Sequence, residues 1–99
     1  MLNINKTIEG TKATFEIGGR LDTVTAPELE AQIKEALPGL TELVLDMSGL
    51  DYISSAGLRV LLSAQKVMNA QGSMKLRGVG ETIMEIFEVT GFSEILTIE

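Results

Sequence analysis

Two adjacent serines, Ser54 and Ser55, stand between a short apolar run and a stretch of helical spacing, within Asp51-Tyr52-Ile53-Ser54-Ser55-Ala56-Gly57-Leu58-Arg59. A serine at a helix start has two uses. Its hydroxyl can cap a free backbone N–H. It can also carry an anionic substituent, which the unpaired N–H groups and the helix dipole favour. The residues alone leave both open. Gly57 lacks a Cβ, so another backbone could come close there. Asp46 and Asp51 flank this loop. Paired carboxylates can do acid–base work or hold a metal, but no third or fourth oxygen ligand has suitable spacing, and turn-forming Asp in a solvated loop serves as well.

Two further segments invite chemistry. Gly19-Arg20-Leu21-Asp22-Thr23-Val24-Thr25 is a polar loop after a strand. It is either a connector ending in a helix cap or part of a recognition surface beside Ser55. Gly78-Val79-Gly80-Glu81-Thr82-Ile83 begins like a dinucleotide-binding fingerprint, but Ile83 stands where the third glycine belongs. A turn that opens a helix accounts for it.

Composition removes most other chemistry. The 99 residues include no histidine and no cysteine. Ser-His-Asp and Cys-His mechanisms, disulfides and thiolate metal sites are therefore excluded, and the expectation is no enzyme, no cofactor and no metal. The net charge of −6 repels phosphate backbones and anionic headgroups, so neither nucleic acid nor membrane is expected as a partner. No apolar run approaches the length of a membrane span, and Met1 to Lys6 lacks a signal-peptide core. A cytoplasmic protein is expected.

The elements that must position these residues read as short strands and amphipathic helices. Residues 2–8 and Ala13 to Ile17 alternate as a hairpin around Glu9-Gly10-Thr11-Lys12, with Gly18-Gly19 ending the second strand. Thr25-Ala26-Pro27-Glu28 reads as a helix start, with Thr25 and Glu28 as a capping box and Leu29, Ile33, Ala36 and Leu37 on one face. Pro38-Gly39 stops that helix. Leu43-Val44-Leu45 suits a short central strand, followed by a loop from Asp46 to Ile53. A second helix is expected over 55–70, with Gly57, Val60, Leu61, Ala64, Val67 and Met68 inward. Met74-Lys75-Leu76 is a further strand. A third helix follows over 81–90, with Ile83, Ile86 and Phe87 inward, Gly91 at its left-handed end and Phe92 folding back onto Phe87. Ile95, Leu96 and Ile98 suggest a last short strand. This alternation predicts an α/β fold: a mixed sheet of four to five strands packed with three to four helices.

Taken together, Gly19-Arg20-Leu21-Asp22, Thr25-Ala26-Pro27-Glu28-Leu29, Leu45-Asp46-Met47-Ser48-Gly49-Leu50, Tyr52-Ile53-Ser54-Ser55-Ala56-Gly57-Leu58 and Thr90-Gly91-Phe92 resemble the STAS domain, above all the bacterial anti-sigma factor antagonists. The resemblance spans nearly the whole chain, 1–99, as a single domain. It implies a partner switch: the unphosphorylated form binds an anti-sigma factor that is also a serine kinase, phosphorylation releases it, and a serine phosphatase resets it. It maps the phosphorylated residue onto Ser55, with Ser54 as the second candidate in a position where the family often has Asp. The loop at 20–25, the serine loop and the start of the second helix are expected to share one edge and form the partner-binding face, with Asp22, Thr23, Thr25, Asp51, Ser54, Ser55, Ala56, Gly57, Leu58 and Arg59, the last pointing outward as a polar residue in an otherwise apolar helix. A constitutive accessory subunit of a transporter ATPase or sensory complex is the alternative.

Overall fold

A computed structural model describes residues 2–99. Alternating side chains over Leu2–Glu9 (β1) and Lys12–Leu21 (β2) form an antiparallel hairpin, closed by Gly10-Thr11 with Glu9 opposite Lys12. From β2 the chain crosses through helix Ala26–Ala36 (α1) to Glu42–Ile53 (β3), then through Ser55–Gln71 (α2) to Ser73–Arg77 (β4). Each crossover returns the next strand parallel to the last, so the sheet has the order β1-β2-β3-β4 and is mixed. Helices Glu81–Thr90 (α3) and Phe92–Ile95 (α4) complete the chain. The expected α/β architecture, with four strands and four helices, is present.

The core is aliphatic, as the scarcity of aromatic residues requires. Leu43, Leu45 and Met47 of β3 pack with Phe15 of β2, Leu29 of α1, Leu61 and Met68 of α2, and Phe87 of α3, all fully buried. Burying each such side chain contributes roughly 1.5–3 kcal/mol.

Several elements differ from those expected from local spacing, each for a physical reason. Gly18-Gly19 do not end β2, which runs on to Leu21. Gly19 adopts φ 91°, open to glycine at no cost, and the backbones of Gly18 and Gly49 approach so closely that a Cβ on Gly49 would lie 3.3 Å from Gly18 Cα. The segment Asp46 to Ile53 is not a loop but the second half of β3. Its pairing with β2 slips twice, between Glu16 and Gly18 and between Gly19 and Arg20, so β3 holds extra residues against β2. Such bulges break the strict alternation from which a strand is read. Val67 is exposed, and Leu58 and Gln65 are buried in its stead on α2. Ile86 is only half-buried. Ile95 belongs to α4, and the last strand shrinks to a bridge between Ile98 and Leu76.

Helix ends differ from expectation once. Pro27 lies in the first turn of α1, but Thr25 makes no side-chain cap there. Its hydroxyl turns backward, donating to the Arg20 carbonyl at 2.8 Å and accepting from the Asp22 N–H at 2.9 Å. Gly91, at φ 82°, ends α3 as expected.

Candidate functional site

The parallel pairing of β2 and β3 decides where the serine segment lies. Leu21 and Ile53 are register partners at the ends of their strands, and the Ser54 N–H donates to the Leu21 carbonyl at 2.9 Å. The 22–25 segment and the start of α2 therefore share one edge of the sheet. This is the carboxyl end of parallel strands, where α/β folds present their sites. The serine segment itself is a tight strand-to-helix junction rather than a loop, with Ser54 alone between β3 and α2.

The two serines play different parts there. Ser54 is the N-cap of α2, in extended conformation, and its hydroxyl accepts from the Gly57 N–H at 3.4 Å. Ser55 is the first helical residue and is exposed. Its hydroxyl has no hydrogen-bond partner among the described residues, while its carbonyl accepts from Arg59 Nε at 3.5 Å. The capping reading thus applies to Ser54, and the free hydroxyl at the helix N-terminus belongs to Ser55.

Asp22 organises the neighbouring turn. Its Oδ1 accepts from the N–H groups of Val24 and Thr25, both at 3.0 Å. The hydrogen bond from the Thr25 backbone, aided by the Thr25 hydroxyl and the Arg20 charge, holds the Asp22 carboxyl below its usual range, against a smaller opposing effect of desolvation. Arg20 lies 3.8 Å from Asp22 through Nε and stacks over the Tyr52 ring at 4.3 Å. Arg20 and Tyr52 lie inside the candidate segments but are not among the expected partner-binding residues. They are register partners across β2 and β3, and nothing local in the sequence reports that pairing.

Between the starts of α1 and α2 runs an open groove of about 240 Å³, lined by Thr23, Pro27, Glu30, Ala56 and Arg59 among others. Arg59 is exposed, as expected. Asp51 is exposed on the last part of β3. Gly57 and Leu58 are buried, so they support this face from beneath. At Gly57 the space is taken by the side chains of Leu21 and Ile53 rather than left for a partner backbone.

Asp46 is not part of this edge. It lies seven residues before Ile53, about 20 Å up the strand. There it accepts from the Ser48 hydroxyl at 2.7 Å and the Ser48 N–H at 3.0 Å, and pairs with Arg77 at 3.3 Å. Those bonds, the Ser48 hydroxyl first, hold its carboxyl below the usual range. The Asp46–Asp51 pair expected around the serines is thus not formed. Gly78 to Ile83 is a turn leading into α3 with Gly80 at the N-cap, as read from sequence. Among the described residues no acidic cluster could hold a metal ion, and no helix is long and apolar enough to cross a membrane.

Comparison with known proteins bears on this geometry. The family model described as "STAS domain" matches residues 3–99. BtrV of Bordetella bronchiseptica, named as an anti-sigma factor antagonist, is 39% identical over 82 residues, covering 81% of this chain and 71% of that protein. An anti-sigma-B factor antagonist of Staphylococcus aureus is 27% identical, covering 98% of this chain and 92% of its own length. The structure of the Bacillus cell fate determinant SpoIIAA in its phosphorylated form superposes with a TM-score of 0.76 at 17% identity, covering 100% of this chain and 91% of that one.

Proposed function

The chain belongs to the STAS domain family, and from that premise we propose that it is an anti-sigma factor antagonist working as a phosphorylation-controlled partner switch. Residues 1–99 act as one STAS unit in the cytoplasm. The unphosphorylated form binds an anti-sigma factor that is also a serine kinase. That kinase phosphorylates Ser55 and is released, and a serine phosphatase restores the binding form. The chain is a binding module and not an enzyme. The names of the relatives support the antagonist reading. The observation that carries the choice of residue is the division of labour at the start of α2, where Ser54 caps the helix and Ser55 is exposed with a free hydroxyl.

Magnitudes explain why a phosphate at Ser55 acts on binding and not on folding. It adds about −1.5 to −2 charges at neutral pH. The dipole of α2 favours that charge by about 0.3–1 kcal/mol, so the fold tolerates it. In an interface the same group must lose water on an edge that already carries Asp22, Glu30 and Asp51 against two cations, Arg59 and Arg20, the latter already paired with Asp22. Burying a charge without a matched partner costs several kcal/mol, and each 1.4 kcal/mol is about tenfold in affinity. The interface term wins. The partner-binding face consists of Asp22, Thr23, Thr25, Asp51, Ser54, Ser55, Ala56 and Arg59, with Gly57 and Leu58 beneath it.

Capture from lysate of the native host, read by mass spectrometry, tests this. The wild-type chain should retain a kinase-type anti-sigma factor, and Ser55→Asp should lose it while keeping its melting temperature. Retention by both forms contradicts the switch.

A further inference from the structure

Negative charge is unevenly distributed along the chain. Residues 1–80 carry eight basic and nine acidic side chains, whereas residues 81–99 carry five acidic and none basic. The acidic stretch includes a helix with a second apolar face that the core covers only in part. Thr82, Glu85, Ile86, Val89 and Thr90 of α3 line an open groove of about 280 Å³. The spacing 82, 85, 86, 89 follows one side of a helix. Ile83 and Phe87, which enter the core, lie about a third of a turn away at 3.6 residues per turn. α3 is thus apolar on two faces; the core takes one fully and the other only through part of Ile86, leaving Val89 exposed.

The details favour contact over solvation. Val89 is 88% exposed, the most exposed large hydrophobic side chain among the described residues. The Thr90 hydroxyl is spent on the Ile86 carbonyl at 2.7 Å, which leaves its methyl group for the groove. Ile95 of α4, just beyond, is half exposed. Glu81, Glu85 and Glu88 of α3 and Glu94 of α4 have no ion-pair partner among the described residues.

We infer that this face of α3 is a docking site for a basic amphipathic helix of a protein partner. Aliphatic side chains of that helix lie on Ile86 and Val89, and its Lys or Arg residues face Glu81, Glu85 and Glu88. Charge selects this occupant. A second copy of the chain would set acid against acid, and an anionic membrane surface would be repelled. α3 is about 15 Å long, enough for about three turns of a partner helix. None of the groove residues lines the edge around Ser55, so the two surfaces serve different contacts and this one stands apart from the switch.

The test uses the full chain and a synthetic peptide of Leu and Lys, about 18 residues long so as to hold a helix, with all Leu on one face. A second peptide of the same composition is scrambled to destroy that face. Calorimetry should give tighter binding of the amphipathic peptide by about tenfold or more. Amide shift changes should centre on residues 82–95. Val89→Glu and Glu85→Lys should each weaken binding by about tenfold while keeping the wild-type melting temperature, and Arg59→Glu should leave it unchanged. Equal affinity for the two peptides, shift changes on another face, or full binding by Val89→Glu would overturn the proposal. So would sedimentation showing a dimer of the chain alone that Val89→Glu dissolves, since the occupant would then be a second copy.

Discussion

Gly57→Ala tests whether packing beneath the serine segment seats it. An added Cβ would lie 2.8 Å from Ile53 Cγ1, 2.8 Å from Leu21 Cγ and 3.1 Å from Leu21 Cδ2. Two effects oppose each other. Alanine is favoured over glycine inside a helix by about 1 kcal/mol, and overpacking a core costs about 1–3 kcal/mol. The outcome depends on whether the neighbours can yield. Leu21 and Ile53 are both buried, and the two closest atoms, Ile53 Cγ1 and Leu21 Cγ, lie one bond beyond Cβ on neighbouring strands, not at the far ends of flexible side chains. The upper part of the overpacking range applies, and the net loss is about 1–2 kcal/mol. For a domain of this size each kcal/mol lowers the melting temperature by about 4–8 °C. Lifting α2 to relieve the clash stretches the bond from the Ser54 N–H to Leu21, so the Ser54 amide should exchange faster. Thermal denaturation and amide hydrogen exchange read both effects. A raised melting temperature with undiminished Ser54 protection would mean instead that the Cβ is accommodated and helix propensity alone decides.

Three further outcomes are expected. Gly72→Ala should destabilise more than Gly57→Ala in urea denaturation, because its Cβ would meet the backbone of Thr41, within 1.9 Å of the carbonyl oxygen, and backbone cannot swing aside. Arg59→Glu should weaken partner binding and leave the melting temperature unchanged, whereas Asp22→Asn should lower both, since Asp22 holds the 22–25 turn through two backbone N–H groups. Asp22 and Asp46 have folded-state values below the ordinary 3.8, so the stability they contribute is present above about pH 3.8 and is lost as pH falls through their lower folded values; chemical denaturation across that range should show Asp46→Asn converging on wild type in acid.

What could be read from the sequence was whatever local spacing encodes. The apolar periodicity of 55–70 and 81–90 and the turn chemistry of Gly10 and Gly91 place helices and hairpin within a residue or two. Ser54 and Ser55 declared a helix start, though only the hydrogen bond to Gly57 shows which of them caps it. What stayed hidden depends on pairing between distant segments. The bulges in β3 scramble its alternation, so Asp46 to Ile53 reads as loop, and this brought Asp46 wrongly beside the serines. The Arg20–Tyr52 stack exists because β2 and β3 are parallel in a register no local pattern specifies. Thr25 looked like a cap because its type and position fit one, yet Arg20 and Asp22 offer its hydroxyl better partners.

In the proposed switch Ser55 carries the phosphate and Ser54 holds the helix start. Wild type, Ser55→Ala and Ser54→Asn, which retains a good N-cap residue, are incubated with the cognate anti-sigma factor kinase and ATP, and the phosphate is located by mass spectrometry. The proposed switch requires phosphate on Ser55 in wild type and in Ser54→Asn, and none in Ser55→Ala. Phosphate on Ser54 in the Ser55→Ala variant, or on neither serine in wild type, would contradict it.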